Sequence, residues 1–339
     1  MIHKERGDSI KHLNEVRWGI IGCGDVTEVK SGPALQKVEN SQLVAVMRRN
    51  GELAKDYARR HDVPNWYDNA DQLINDPLVN AVYIATPPAF HMEYAVKAAN
   101  AGKVVYVEKP MALNPNECQM MIDSCKQNAV PLFVAYYRRE LDRFLKVKEI
   151  IDQGLIGDTR FVSTVQYQPT AETEMDQTNP PWRIQPDLAG GGLFFDLASH
   201  TLDILDFLLG PIEQVRGFAN NQAGHYHAED IVTGTYSFRS GVQGIGSWCF
   251  NALDREDRNE IIGSKGKVTF ATFGEGPIQL SVNGKITEWG FKNPVHVQQP
   301  LIQTIVDQLT GNNEGICPSN GESGIRTNWV MEQMVTGKV

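Results

Sequence analysis

Two short patterns in this 339-residue chain hold side chains able to move protons. Asp196 and His200 stand four residues apart in the amphipathic stretch LFFDLASHTLDILDFLLG (193–210), which a Gly-Gly-Gly run (190–192) opens. On an α-helix that spacing puts both on one face, within hydrogen-bonding reach. A carboxylate against an imidazole fixes its tautomer and raises its basicity, which suits proton transfer near neutral pH. A competing reading makes Asp196, His200 and Asp203 a solvated face opposite Phe194, Leu197, Leu202 and Leu205; both hold if that face lines a cleft. The second pattern is Glu108-Lys109-Pro110. Pro110 cannot extend a strand's hydrogen-bond ladder and so fixes the chain's exit there. Glu108 can orient the Lys109 ammonium or balance its charge.

A third pattern binds rather than reacts. In Ile20-Ile21-Gly22-Cys23-Gly24-Asp25-Val26-Thr27, Gly22 permits a tight turn out of a buried strand. Gly24 lets the backbone approach a pyrophosphate at the start of the next helix. Thr27 replaces the third glycine of the strict fingerprint. About 20 residues on, where an NAD-binding domain places an acid for the ribose 2′-hydroxyl, the chain reads Met47-Arg48-Arg49-Asn50. Guanidinium groups there pair with a 2′-phosphate, so NADP(H) is favoured, with NAD(H) the alternative.

The elements that must position these groups follow from the apolar runs. RWGII (17–21), LVAVM (43–47), AVYIA (81–85), VVYV (104–107) and PLFVAYY (131–137) alternate with helical patterns, as in a parallel sheet covered on both faces. The expected fold is a doubly wound Rossmann α/β domain over 17–138 after an N-terminal extension (1–16). An α+β domain with a large, mainly antiparallel open sheet follows over 139–339. Lys109 then lies past the end of the fourth of these strands, and Tyr137 and Arg138 at the end of the fifth. Ligands of open α/β sheets bind outside such carboxyl ends. Trp182 and Arg183, in the long loop 169–189, can close over a substrate.

Composition narrows the partners. Net charge is −9, with no basic stripe or tail, which argues against nucleic acid and anionic membranes. No run approaches the roughly 18 apolar residues of a membrane helix. Five scattered cysteines without a C-x-x-C pair read as reduced thiols of a cytoplasmic protein. His225 and His227 lack further ligands at metal spacing, so no metal site is expected.

Ala85-Thr86-Pro87-Pro88 with His91, then Glu108-Lys109-Pro110, Trp182-Arg183, Gly190-Gly191-Gly192 leading to Asp196-x-x-x-His200, and Ile262-Gly263-Ser264-Lys265-Gly266 resemble the glucose–fructose oxidoreductase / inositol dehydrogenase / MocA family. The order and spacing of these segments carry the resemblance, from about Arg17 to near the C-terminus. It implies that Lys109 lies beside nicotinamide and substrate and that Asp196 and His200 are a catalytic pair. The expected catalytic residues are therefore Lys109, His200 and Asp196, with His200 the first choice as immediate acid or base. The expected cofactor contacts are Gly22, Gly24, Asp25, Val26, Arg48, Arg49, Thr86, Pro87, His91, Glu108 and Lys109. Tyr137, Arg138, Trp182 and Arg183 are the expected substrate contacts.

By the same resemblance the substrate is a sugar, cyclic polyol or related keto compound. The second sheet then pairs subunits into a dimer or tetramer. The rivals are an NAD-linked polyol or dihydrodiol dehydrogenase and a non-catalytic dinucleotide-binding sensor of the same fold.

Overall fold

The computed structural model describes residues 12–312 and 315–337; residues 1–11 of the expected extension lie outside the described residues. The first sheet is six-stranded and wholly parallel, ordered β3-β2-β1-β4-β5-β6. Its strands are β1 (Val16–Ile21), β2 (Ser41–Met47), β3 (Asn65–Tyr67), β4 (Ala81–Ile84), β5 (Val104–Val107) and β6 (Leu132–Val134). Runs such as Ala81–Ile84 and Val104–Val107 are buried at every residue, because helices cover both faces. The strand order reverses between β1 and β4, so the chain leaves these two in opposite directions and opens a crevice at their carboxyl ends.

The second sheet has eight strands: β7 (Thr159–Tyr167), β8 (Ile212–Asn220), β9 (Ile231–Phe238), β10 (Gln243–Cys249), β11 (Glu256–Gly263), β12 (Gly266–Phe270), β13 (Ile278–Val282) and β14 (Lys285–Trp289). Their order is β14-β13-β12-β11-β7-β10-β9-β8, antiparallel throughout except for the β7–β10 pair. Its inner face packs on the helix Ser199–Leu209 in a core containing Phe194, Leu202, Leu205, Trp248 and Phe250. The turn Asn283-Gly284 between β13 and β14 has both residues at positive φ, as a tight hairpin requires.

Three local expectations change. Strand β3 was absent from the five apolar runs because Asn65-Trp66-Tyr67 is a short edge strand with Trp66 exposed. The single helix expected after the glycine turn divides into Asp25–Val29 and Gly32–Lys37, with Pro33 in the first turn of the second, where its missing N–H costs nothing. The stretch 193–210 begins as a π-helical turn, Phe194–Ala198, before becoming α-helical at Ser199–Leu209.

The C-terminal segment joins the two sheets. Leu301, Ile302, Ile305, Val306 and Leu309 of the helix Gln299–Thr310 lie in the core of the first sheet, beside Trp18 and Tyr106. In the helix Gly321–Thr336, Asn328 donates to the Ala112 carbonyl (2.7 Å), while Met334 packs against Gly217 and Gly234 of the second sheet.

A buried ionic network fixes the helix that carries His200. Arg139 grips Asp203 (2.6 and 2.9 Å) and reaches Asp206 (3.2 Å), which also accepts from Arg326 (2.6 and 2.8 Å). Asp203 is therefore core, not part of a solvated face. Removing one member of a buried pair strands the other charge. Arg139→Met is expected to lower unfolding free energy by about 3–5 kcal/mol, read as a shifted urea midpoint at unchanged slope. A shift below about 1 kcal/mol would mean water already reaches the network.

Candidate active site

The carboxyl ends of the first sheet and the π-helical turn face each other across a cavity of about 740 Å³. The glycine turn forms its floor. Gly22 sits at φ +91°, and a Cβ there would come within 2.9 Å of Thr86 Cγ2 and 3.0 Å of the Ala85 carbonyl, so only glycine fits. A Cβ on Gly24 would meet nothing nearer than the Gly22 carbonyl at 3.9 Å, leaving bare backbone under open space. Thr27 has a structural role in place of the third glycine: its hydroxyl accepts from the Gly24 N–H (3.0 Å) and donates to the Gly24 carbonyl (2.8 Å).

Several observations fit a dinucleotide in this cavity. The N–H groups of Asp25 and Val26 take part in no hydrogen bond among the described residues, and both residues line the cavity. Thr86 Oγ1 is buried without a partner beside Gly22. Arg48 and Arg49 are exposed at the cavity's edge and have no ion-pair partner among the described residues; Arg49 lies over the Phe90 ring at 5.4 Å.

On the opposite wall Lys109 Nζ donates to Asp196 Oδ1 at 2.6 Å and to the Asp196 carbonyl at 2.9 Å. Arg183, from the long loop, reaches Asp196 Oδ2 at 3.2 Å. Burial opposes the Asp196 charge, but Lys109 and then Arg183 outweigh it and hold the carboxyl below its ordinary range. His200 does not pair with Asp196, because the π-helical turn carries the carboxylate toward Lys109. Instead Arg138 donates to His200 Nδ1 at 2.7 Å. Arginine has no lone pair to offer, so Nδ1 is the acceptor and Nε2 carries the hydrogen. Burial first, then Arg138, Lys109 and Lys30, push the imidazole well below its usual pKa. The expected carboxylate-raised basicity is thus replaced by a cation-enforced neutral ring.

Two further expected positions differ. His91 is fully buried and outside the cavity, with Nε2 2.8 Å from the Thr86 carbonyl and Nδ1 3.1 Å from that of Pro110. It ties the Thr86 and Pro110 loops together and does not face a ligand. Glu108 turns away from the Lys109 ammonium and accepts from Tyr83 (2.5 Å), Gln298 (2.6 Å) and the Lys109 N–H (3.1 Å). Glu108 and the remaining expected residues all line the cavity, with Tyr137 and Trp182 among them. Sequence reasoning missed Lys30, Phe90, Phe273 and Gln298, which also line it. Phe273 sits on a loop after β12 held by Asp257, whose carboxylate accepts from the N–H groups of Thr272, Phe273 and Gly274. No motif marks that loop. Among the described residues no group of three or more His, Cys, Asp or Glu side chains could hold a metal, and no helix is long and apolar enough to cross a membrane.

A bare glycine turn and a proton-carrying lysine–carboxylate pair opening on one cavity meet the two needs of hydride transfer, and the class so defined is the NAD(P)-dependent oxidoreductases. Residues 16–136 match the model of an oxidoreductase family with an NAD-binding Rossmann fold, and residues 144–269 match the GFO/IDH/MocA C-terminal domain. A Formosa agariphila protein named as an oxidoreductase is 44% identical, over 90% of this chain and 94% of its own. The trans-1,2-dihydrobenzene-1,2-diol dehydrogenase of Mus musculus is 29% identical, over 81% of this chain and 80% of its own. The fold matches a solved aldose-aldose oxidoreductase from Caulobacter crescentus with a TM-score of 0.81 at 23% identity, covering 94% of this chain and 96% of that one. The chain belongs to the glucose–fructose oxidoreductase / inositol dehydrogenase / MocA family.

The neutral, buried His200 carries a stability signature. Its unfolded counterpart takes up a proton near 6.5 while the folded ring does not, so the unfolded chain binds more protons below that pH. The contribution is constant above about 6.5, and stability falls by up to about 1.4 kcal/mol per unit as pH drops below it. Urea unfolding of wild type and His200→Asn between pH 5 and 8 is expected to show a shallower acid slope in the variant. Identical slopes would place the charged imidazole in the folded state.

Proposed function

We propose that the protein is an NADP(H)-dependent oxidoreductase acting on a CH–OH or C=O carbon of a sugar, cyclic polyol or related keto compound. The observation that carries this reading is the Lys109–Asp196 contact inside the cavity floored by Gly22 and Gly24. When bound, the nicotinamide supplies the hydride donor or acceptor. Residues 17–138 bind the dinucleotide in this reading, and 139–339 bind the substrate and a second subunit. The Gly22–Gly24 backbone and the N–H groups of Asp25 and Val26 hold the pyrophosphate. Arg48 and Arg49 take the 2′-phosphate, and Thr86 and Pro87 pack near the nicotinamide.

Lys109 spends two of its three N–H bonds on Asp196. The third reaches the substrate oxygen and protonates it in reduction, with the reverse transfer in oxidation. Asp196 orients the ammonium. His200, neutral with Nε2–H outward, donates a hydrogen bond to the same oxygen instead of exchanging a proton. Tyr137, Trp182 and Phe273 give the cavity wall aromatic surface for the C–H side of a ring. Ring carbons bearing adjacent hydroxyls link sugars to the diol named for the mouse relative. Thiols without disulfides suit the reducing cytoplasm.

Nicotinamide absorbance with a panel of sugars and polyols tests this directly. Lys109→Ala is expected to cut kcat by about 10²–10⁴-fold with NADPH affinity retained, and NADPH is expected to bind more tightly than NADH. Full turnover in Lys109→Ala removes the proton-transfer assignment. Equal affinity for the two nucleotides removes the role of Arg48 and Arg49.

Self-association belongs to the same reading. The strand register puts Phe161, Val165, Phe218, Ile245 and Ile262 on the outer face of the second sheet, with Phe218 84% exposed. Such a face favours pairing with a second copy. Light scattering is expected to show a dimer or tetramer that Ile245→Glu with Phe218→Asp converts to monomer; a wild-type monomer refutes it.

A further inference from the structure

Among the described residues, Arg138 is the one buried group of the cavity wall whose charge has no carboxylate partner. Its side chain is 7% exposed, yet it has no carboxylate within ion-pair distance among the described residues. The contrast with its neighbour is direct, since Arg139 is gripped by Asp203 and Asp206. Arg138 is nevertheless held rigidly. Nε donates to the Thr272 carbonyl (3.0 Å), Nη1 donates to Tyr137 Oη (3.0 Å) and His200 Nδ1 (2.7 Å), and the guanidinium lies against the Tyr137 and Phe273 rings at 4.9 and 4.5 Å. Nη2 makes none of the hydrogen bonds among the described residues. It is not sealed from solvent either, and the surface it reaches is the cavity that Arg138 lines.

A desolvated cation without a counter-charge is costly, and two aromatic faces offset only part of that cost. Its surroundings add to the demand. Lys109 and Arg183 already share the single carboxylate of Asp196, and Glu108 is committed to Tyr83 and Gln298. The substrate end of the cavity therefore holds three cations around one free-facing carboxylate. A charged Nη2 group locked in place with its N–H bonds unspent is a donor site for an anionic oxygen.

We propose that the substrate is an acid, a sugar or polyol derivative carrying a carboxylate, and that this carboxylate seats on Arg138 Nη2 with Arg183 closing over it. The proposal rests on the oxidoreductase reading above and adds the charge of the molecule turned over. Arg138 thereby has two linked tasks, receiving the anion and holding His200 in its Nε2–H form.

The test is isothermal titration of the NADP⁺-saturated protein with matched pairs differing in one carboxylate: D-glucuronate and D-glucose, D-galacturonate and D-galactose, D-gluconate and D-glucitol. At least one acid is expected to bind about tenfold or more tightly than its neutral partner. That ratio is expected to fall toward one in Arg138→Met and to drop partly in Arg183→Met, whose exposed position makes it the safer variant for folding. NADP⁺ affinity, measured in the same samples, reports that each variant is folded. Acids binding no better than neutral partners across all three pairs overturns the proposal, as does a preference unchanged in both variants. Failure of the parent reading looks different: NADP⁺ itself would not bind.

Discussion

The contact between Lys109 and Asp196 joins residues that lie 87 positions apart in the chain, and it exists only because the carboxyl ends of the first sheet meet a helical turn of the second unit. Lys109 projects from the point where β5 ends, and Asp196 from a π-helical turn of the second unit. Neither unit alone holds the pair. Its geometry depends on the helix that follows the turn, and that helix is fixed from behind by Arg139 through Asp203 and Asp206. A largely buried network at the rear thus sets the ion pair at the cavity wall. The division is physically sensible. The rear pair packs away from the cavity, whereas the front pair lines it and leaves one N–H of its lysine unspent among the described residues.

Most of the framework was legible in the sequence because it rests on composition over several residues. Runs such as Val104–Val107, buried throughout, can only be central strands, and Gly22 at positive φ leaves no alternative residue. Lys109, Trp182 and Arg183, singled out by the family resemblance as well as by their places in the chain, and Arg138, singled out by its place at a strand end, all line the cavity. What escaped depends on single side-chain geometries. A π-helical turn has no composition of its own, so the spacing of Asp196 and His200 pointed to a pair that the backbone prevents. His91 carries no mark distinguishing a brace between two loops from a ligand contact. Phe273 and Gln298 reach the cavity from segments with no motif, one tethered by Asp257 and the other leading into a terminal helix.

The cavity also reverses the electrostatics of the molecule. The chain carries a net charge of −9, yet six of the lining residues are cationic and three are carboxylates. A cleft lined mainly by one sign of charge focuses the field within it, and here that field is opposite in sign to the net charge of the chain. The neutrality of His200 follows first from its burial and then from that field, since Arg138, Lys109 and Lys30 all disfavour its protonation.

The helix Gln299–Thr310 has a consequence for how the protein is made. Its leucines and isoleucines complete the core around Trp18 and Tyr106, although the second sheet is synthesised between them and that core. During translation the nucleotide-binding half therefore emerges early with one flank uncovered, and stays so while the ribosome adds the whole of the second sheet. That half does not mature as a self-contained unit in the usual N-to-C order. Its last wall arrives only after the whole of the second sheet, so a nascent chain interrupted before that helix leaves the apolar flank beside Trp18 and Tyr106 uncovered.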